Sequence, residues 1–152
     1  MKTHFTLVWG ICLWLLISCQ VAPKPIAYGQ VNCAHCNMTV SDSRFGAELV
    51  SAKGKVYTFD SAECLAAYLN DNPGKKKDAA YVLVTDFSNP KQLVDARKAT
   101  FLQSAKLASP MGMSLTAFAD NATAGQFRQQ HQGRLLTWEQ TLLVVQKNEK
   151  PQ

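Results

Sequence analysis

Apolar and polar positions alternate with the two-residue period of a strand over Ala47 to Ala52. They do so again over Lys55 to Phe59, and Lys53-Gly54 between the two runs supplies a turn, so the pair predicts a β-hairpin. A helix is predicted next, over Ser61 to Leu69, with Asp60 and Glu63 resembling a capping box at its start. Asp71-Asn72-Pro73-Gly74 ends that helix. Ala80 to Thr85 is an apolar, β-branched strand, and Pro90 to Ala96 has room only for a short helical turn. Thr100 to Gln103 and Leu115 to Ala119 are further strands. Asp120 or Asn121 caps a helix that passes Phe127, reaches His131 and is stopped by Gly133.

Two stretches share one order of residue types. Gly54-Lys55-Val56-Tyr57-Thr58-Phe59-Asp60 and Gly133-Arg134-Leu135-Leu136-Thr137-Trp138-Glu139 both read glycine, basic, apolar, apolar, threonine, aromatic, acidic, and a helix follows each. This points to an internal duplication. Short helices appended to antiparallel hairpins predict an α+β fold in two similar halves, about 28–79 and 105–148, joined through Ala80 to Ser109. The expected core is Leu49, Val56, Phe59, Leu65, Leu69, Val82, Val84, Phe118, Phe127, Leu135 and Trp138.

Composition narrows the class. With 152 residues, 47% apolar and 18% charged, the chain fits one small globular unit and excludes a disordered, collagen-like or multi-span membrane protein. The net charge of +5 is mild, and the one tight basic run, Lys75-Lys76-Lys77, has no interleaved aromatic residues. That run reads as a solvated loop, and no nucleic-acid partner is expected.

The N-terminus adds a compartment. After Lys2 and His4, Phe5 to Ile17 is an uncharged run of thirteen residues, shorter than the roughly 20 needed to span a bilayer and suited to the apolar region of an export signal. It runs into Leu16-Ile17-Ser18-Cys19, the order of a bacterial lipobox. Residues 1–18 are thus expected to be a lipoprotein signal peptide, with Cys19 the lipidated first residue of the mature chain. Residues 19–27, with Pro23 and Pro25, are expected to form a tether, and 28–148 the folded domain. Gln20 after the lipid cysteine favours the outer membrane, facing the periplasm.

Of five cysteines, Cys12 leaves with the signal and Cys19 carries lipid, so Cys33, Cys36 and Cys64 remain. An odd count in an exported domain leaves at least one thiol free, shared with another chain or bound to metal. Cys33, His35, Cys36 and Met38 put two thiols, an imidazole and a thioether within six residues, and Pro110-Met111-Gly112-Met113 is a second soft cluster in a turn. Polarisable sulfur favours Cu(I) over harder ions. Cys33, Cys36 and Cys64 also fit three ligands of a zinc treble clef, with the fourth left to His35, His131 or an outside group. A disulfide within the trio and an exported thiol oxidoreductase are the remaining readings. Asn37 after Cys36 excludes haem attachment, and no hydrolase motif is present.

Several motifs occur in one order: the lipobox cysteine, Cys33-x-x-Cys36-x-Met38-x-Val40-x-Asp42-x-Arg44-Phe45-Gly46-Ala47-Glu48, Gly54-Lys55-Val56-Tyr57-x-Phe59-Asp60, Cys64 with Tyr68-Leu69, Asp95-Ala96-Arg97-Lys98-Ala99 and Pro110-Met111-Gly112. This order resembles the NosL family of lipoprotein copper chaperones of the nitrous oxide reductase system. The resemblance covers nearly all of the mature chain. It implies a two-part ββα-type fold similar to the C-terminal region of organomercurial lyase, and a carrier rather than an enzyme. It also implies one Cu(I) per protein, delivered to an ABC-type copper-site assembly transporter and its periplasmic solenoid protein. On this resemblance Cys36 and Met111 are the leading ligands and Met38 the next, with Cys33, His35 and Cys64 as further candidates and Zn(II) as the alternative ion. A monomer or weak dimer is expected.

Overall fold

The computed structural model describes residues 21–151. The expected export signal, residues 1–18, and the expected lipidation position Cys19 lie outside the described residues. The fold is α+β, with two antiparallel sheets and short helices. The first sheet holds β1 (Ala47–Ser51), β2 (Val56–Phe59), β3 (Ala79–Thr85) and β4 (Leu93–Asp95), in the order β2-β1-β3-β4. The second holds β5 (Thr100–Gln103), β6 (Leu115–Phe118) and β7 (Arg134–Leu136), in the order β6-β5-β7. The helices are α1 (Ala62–Asp71) and α2 (Pro73–Lys77) between β2 and β3, α3 (Asn121–His131) between β6 and β7, and α4 (Trp138–Gln146) after β7.

The expected hairpin forms, with Ala47 opposite Phe59 and Val50 opposite Val56. β1 is buried along its whole length, although its sequence alternates. Ala47 and Leu49 join the main core, while Glu48 on the other face accepts a hydrogen bond from the Lys24 backbone N–H at 3.0 Å. The segment expected to be a tether through residue 27 is therefore docked from Lys24 onward, and Ile26 is buried. The cause is the exposed face of β1, which needs a cover and which extended chain can supply.

Other expectations change in place. Pro90 to Ala96 forms no helical turn: Leu93–Asp95 is an edge strand, with Val94 opposite Val84, because pairing with β3 satisfies backbone groups that an isolated turn leaves to water. Lys75-Lys76-Lys77 lies in α2 rather than a loop, since Pro73 at the first helical position is pre-set for a helix start. Ser61 caps α1, accepting from the Cys64 N–H at 3.3 Å, so Asp60 and Glu63 are released from the capping box expected of them. In the second glycine unit Thr137 is the cap, in a reciprocal box with Gln140, so that helix begins sooner after its glycine than the first. The sheets divide the chain between Asp95 and Thr100, which places residues 79–95 with the first half.

Gly133 marks a close approach. Its φ is +104°, and a Cβ there would lie 2.1 Å from the Gln103 carbonyl oxygen, so only glycine fits. One core cluster takes side chains from both sheets, including Leu49, Phe59, Val84 and Phe101, and from the helices, including Leu65 of α1 and Trp138 of α4. Val56 is half-buried. Phe127 and Leu135 are too, and they pack on a smaller cluster of Leu102, Phe118 and Ala124 instead. Leu65 is fully buried where α1 meets this core. Leu65→Ala is expected to cost about 3 kcal/mol, read as a lower denaturation midpoint.

Candidate metal centre

Three backbone segments converge on one point. The loop Cys33–Met38 is closed by the Cys33 N–H to the Met38 carbonyl at 2.8 Å and the Asn37 N–H to the Cys33 carbonyl at 3.0 Å. Asn37 takes φ +62°, a left-handed position that asparagine tolerates. The loop is fixed to β2 by the Ala34 N–H to the Thr58 carbonyl at 2.8 Å and by the Thr58 hydroxyl to the Asn32 carbonyl at 3.3 Å. Asp60 follows the end of β2, and Cys64 lies in the first turn of α1.

The ligating atoms of Cys33, Cys36, Asp60 and Cys64 all lie within 4.8 Å of one another. All three thiols are free. Cys33 and Cys64 are buried and Cys36 is half-buried. The Cys64 thiol donates to Cys33, which pulls Cys33 toward the thiolate, and backbone N–H groups of Cys36, Asp60 and His35 add to that pull. The same hydrogen bond, with burial, pushes Cys64 up. Burial also raises Cys36, whose Sγ lies 3.7 Å from Asp60 Oδ2. Asp60 Oδ1 is buried without a hydrogen-bond partner. A buried carboxylate set among three sulfurs, with one of its oxygens left without a donor, is the environment a cation completes.

A cleft of about 200 Å³ opens beside this cluster, lined by His35, Glu63, Cys64, Met111 and Met113 among others. The methionine loop is held there by Glu63. Its buried carboxylate accepts from the Met111 N–H at 3.0 Å, the Leu115 N–H at 3.2 Å and the Ser109 hydroxyl. Burial raises the Glu63 carboxyl. Met111 is 37% exposed and Met113 is buried.

The structure thus gathers Cys33, Cys36 and Cys64 into one cluster, and places His35 and Met111 on the cleft beside it. Met38 is 58% exposed at the end of the cysteine loop. His131, weighed as a fourth zinc ligand, ends α3, with its ring stacked on Phe127. Asp60 and Glu63 were masked in the sequence by their resemblance to a capping box. The signal that separates the roles is Ser61, a better cap placed one residue closer to the helix.

The model of the NosL family matches residues 25–142. Among curated proteins, none matches the chain by sequence. A crystal structure titled as the copper chaperone NosL from Shewanella denitrificans superposes with a TM-score of 0.63 at 24% identity, covering 77% of this chain and 96% of that one. That likeness establishes the fold.

Proposed function

The chain belongs to the NosL family, and from that premise we propose that it is a Cu(I) carrier with no catalytic turnover, tethered through a lipid on Cys19 to the outer membrane and facing the periplasm. Its cargo is one Cu(I). Its recipient is the maturation machinery of nitrous oxide reductase, an ABC-type copper-site assembly transporter with its periplasmic protein. The observation that carries the reading is the convergence of Cys33, Cys36 and Cys64 within 4.8 Å at the side of a cleft lined by Met111 and Met113. Thiolate and thioether donors select a soft monovalent ion. A half-buried thiol and a partly exposed thioether let an incoming ligand enter before the outgoing ones leave, which a carrier requires.

Asp60 supports a second reading. Its carboxylate joins the three thiols in a four-ligand set, and one of its oxygens is buried without a partner, which suits a structural zinc. The two readings separate under anaerobic, reducing conditions. On the carrier reading Cu(I) displaces Zn(II), and removing all metal with a chelator leaves the far-ultraviolet circular dichroism unchanged, because the core shared by both sheets, to which Cys33 and Cys64 belong, is otherwise built of aliphatic and aromatic side chains that need no metal. Unfolding on metal removal, with Zn(II) retained against Cu(I), establishes the zinc module instead.

A further inference from the structure

Five lysines gather at the end of the molecule opposite the thiol cluster. Lys53 and Lys55 are exposed in the β1–β2 turn, Lys76 and Lys77 are exposed on α2, and Lys75 beside them is half-buried and donates to the Tyr57 hydroxyl at 2.8 Å. The turn and the helix are joined by the Ala52 N–H to the Asp78 carbonyl at 2.8 Å. The ammonium groups of Lys55 and Lys75 lie over the ring of Tyr57, at 4.9 and 5.1 Å from its centroid. The neighbouring acids, Asp71 and Asp78, leave the patch strongly positive. Helix α1 sets the distance: Cys64 lies in its first turn, and its ten residues run about 15 Å before reaching α2.

The chain enters the domain at this same end. Val21 lies beside Gly54 in the lysine-bearing turn, 3.9 Å from where a Cβ would stand. The segment then runs back along β1, reaching Glu48 at Lys24 and Gly46 at Ile26 and Tyr28. In the sequence Val21 follows Cys19 by two residues. A lipid on Cys19 therefore holds the lysine patch at the bilayer surface, too close for the domain to tumble freely.

We propose that Lys53, Lys55, Lys75, Lys76 and Lys77 form a headgroup-binding surface that lies on anionic phospholipid and directs the thiol cluster and methionine loop away from the membrane, toward partners in solution. Juxtamembrane lysines are attracted by the negative surface potential of such a leaflet, and the attraction falls off within a Debye length. The inference rests on the lipid anchor of the proposed function and not on the identity of the metal.

The test uses the full chain purified from membranes and placed, without metal, in nanodiscs. One set holds equal parts of phosphatidylglycerol and phosphatidylcholine, the other phosphatidylcholine alone. A water-soluble acetylating reagent is read by mass spectrometry, lysine by lysine. The patch lysines are expected to label about fivefold more slowly on the anionic discs. The difference should vanish in high salt, and Lys147 and Lys150 should label alike on both sets. In a K53Q/K76Q/K77Q variant, which leaves both contacts to Tyr57 in place, the protection of Lys55 and Lys75 should shrink. Equal labelling on the two sets overturns the surface while leaving the anchor standing, and it is also the result expected if an acidic protein is the true partner. Recovery of the full chain in the soluble fraction overturns the anchor and the surface together. Neither outcome bears on copper binding.

Discussion

A chain carrying Cys36→Ser is expected to bind Cu(I) more than about 100-fold more weakly than the parent, beyond the 10- to 100-fold typical of residues that only support a ligand. Cys36 is the half-buried member of the trio, whereas Cys33 and Cys64 are buried and hydrogen-bonded to each other. It is therefore the thiol best placed both to hold the ion and to meet an incoming partner ligand. A serine oxygen is hard, neutral at ordinary pH and a poor match for Cu(I). Met111→Leu keeps the volume and removes the thioether, and should weaken binding by about tenfold with the fold intact. The check is Cu(I) titration against a competing chelator under anaerobic conditions. A Cys36→Ser, Met111→Leu double variant that titrates like the parent contradicts the assignment.

Glu63→Ala should have the largest effect on stability near the site. The carboxylate is 2% exposed and collects the Ser109 hydroxyl and the Met111 and Leu115 N–H groups. Removing it leaves the buried Leu115 N–H and two part-buried donors without an acceptor, and a loss of about 3 kcal/mol is expected. In urea this appears as a lower midpoint with an unchanged slope. Cu(I) affinity should fall as well, although no thiol has been touched, because the methionine loop loses the acceptor that fixes it beside Cys64. Unchanged stability and unchanged affinity would show that Glu63 does not hold the methionine loop.

The local elements were legible where local rules decide them. The hairpin over 47–59, the strand ending at Thr85 and the helix ended by Gly133 follow from alternation, β-branching and capping, which act within a few residues. The meeting of Cys64 with the Cys33–Met38 loop was legible as well, since a knuckle, a hairpin and a helix start bring those sulfurs to one place. What stayed hidden depends on neighbours distant in sequence. Leu93–Asp95 has no strand signal of its own and exists because β3 offers it an edge. Lys24 to Ile26 reads as a proline-flanked linker until the outer face of β1, with Glu48 in it, needs covering. Asp60 and Glu63 satisfy a capping pattern that Ser61 fulfils instead, which frees one carboxylate for the thiol cluster and the other for the methionine loop.

If sulfur from two loops and a helix start holds a single Cu(I), X-ray absorption at the copper edge reads it on the protein loaded anaerobically with one equivalent. The expected spectrum has a Cu(I) edge and a first shell dominated by sulfur, with Cys36→Ser lowering the sulfur count. A first shell made only of nitrogen and oxygen neighbours would contradict it.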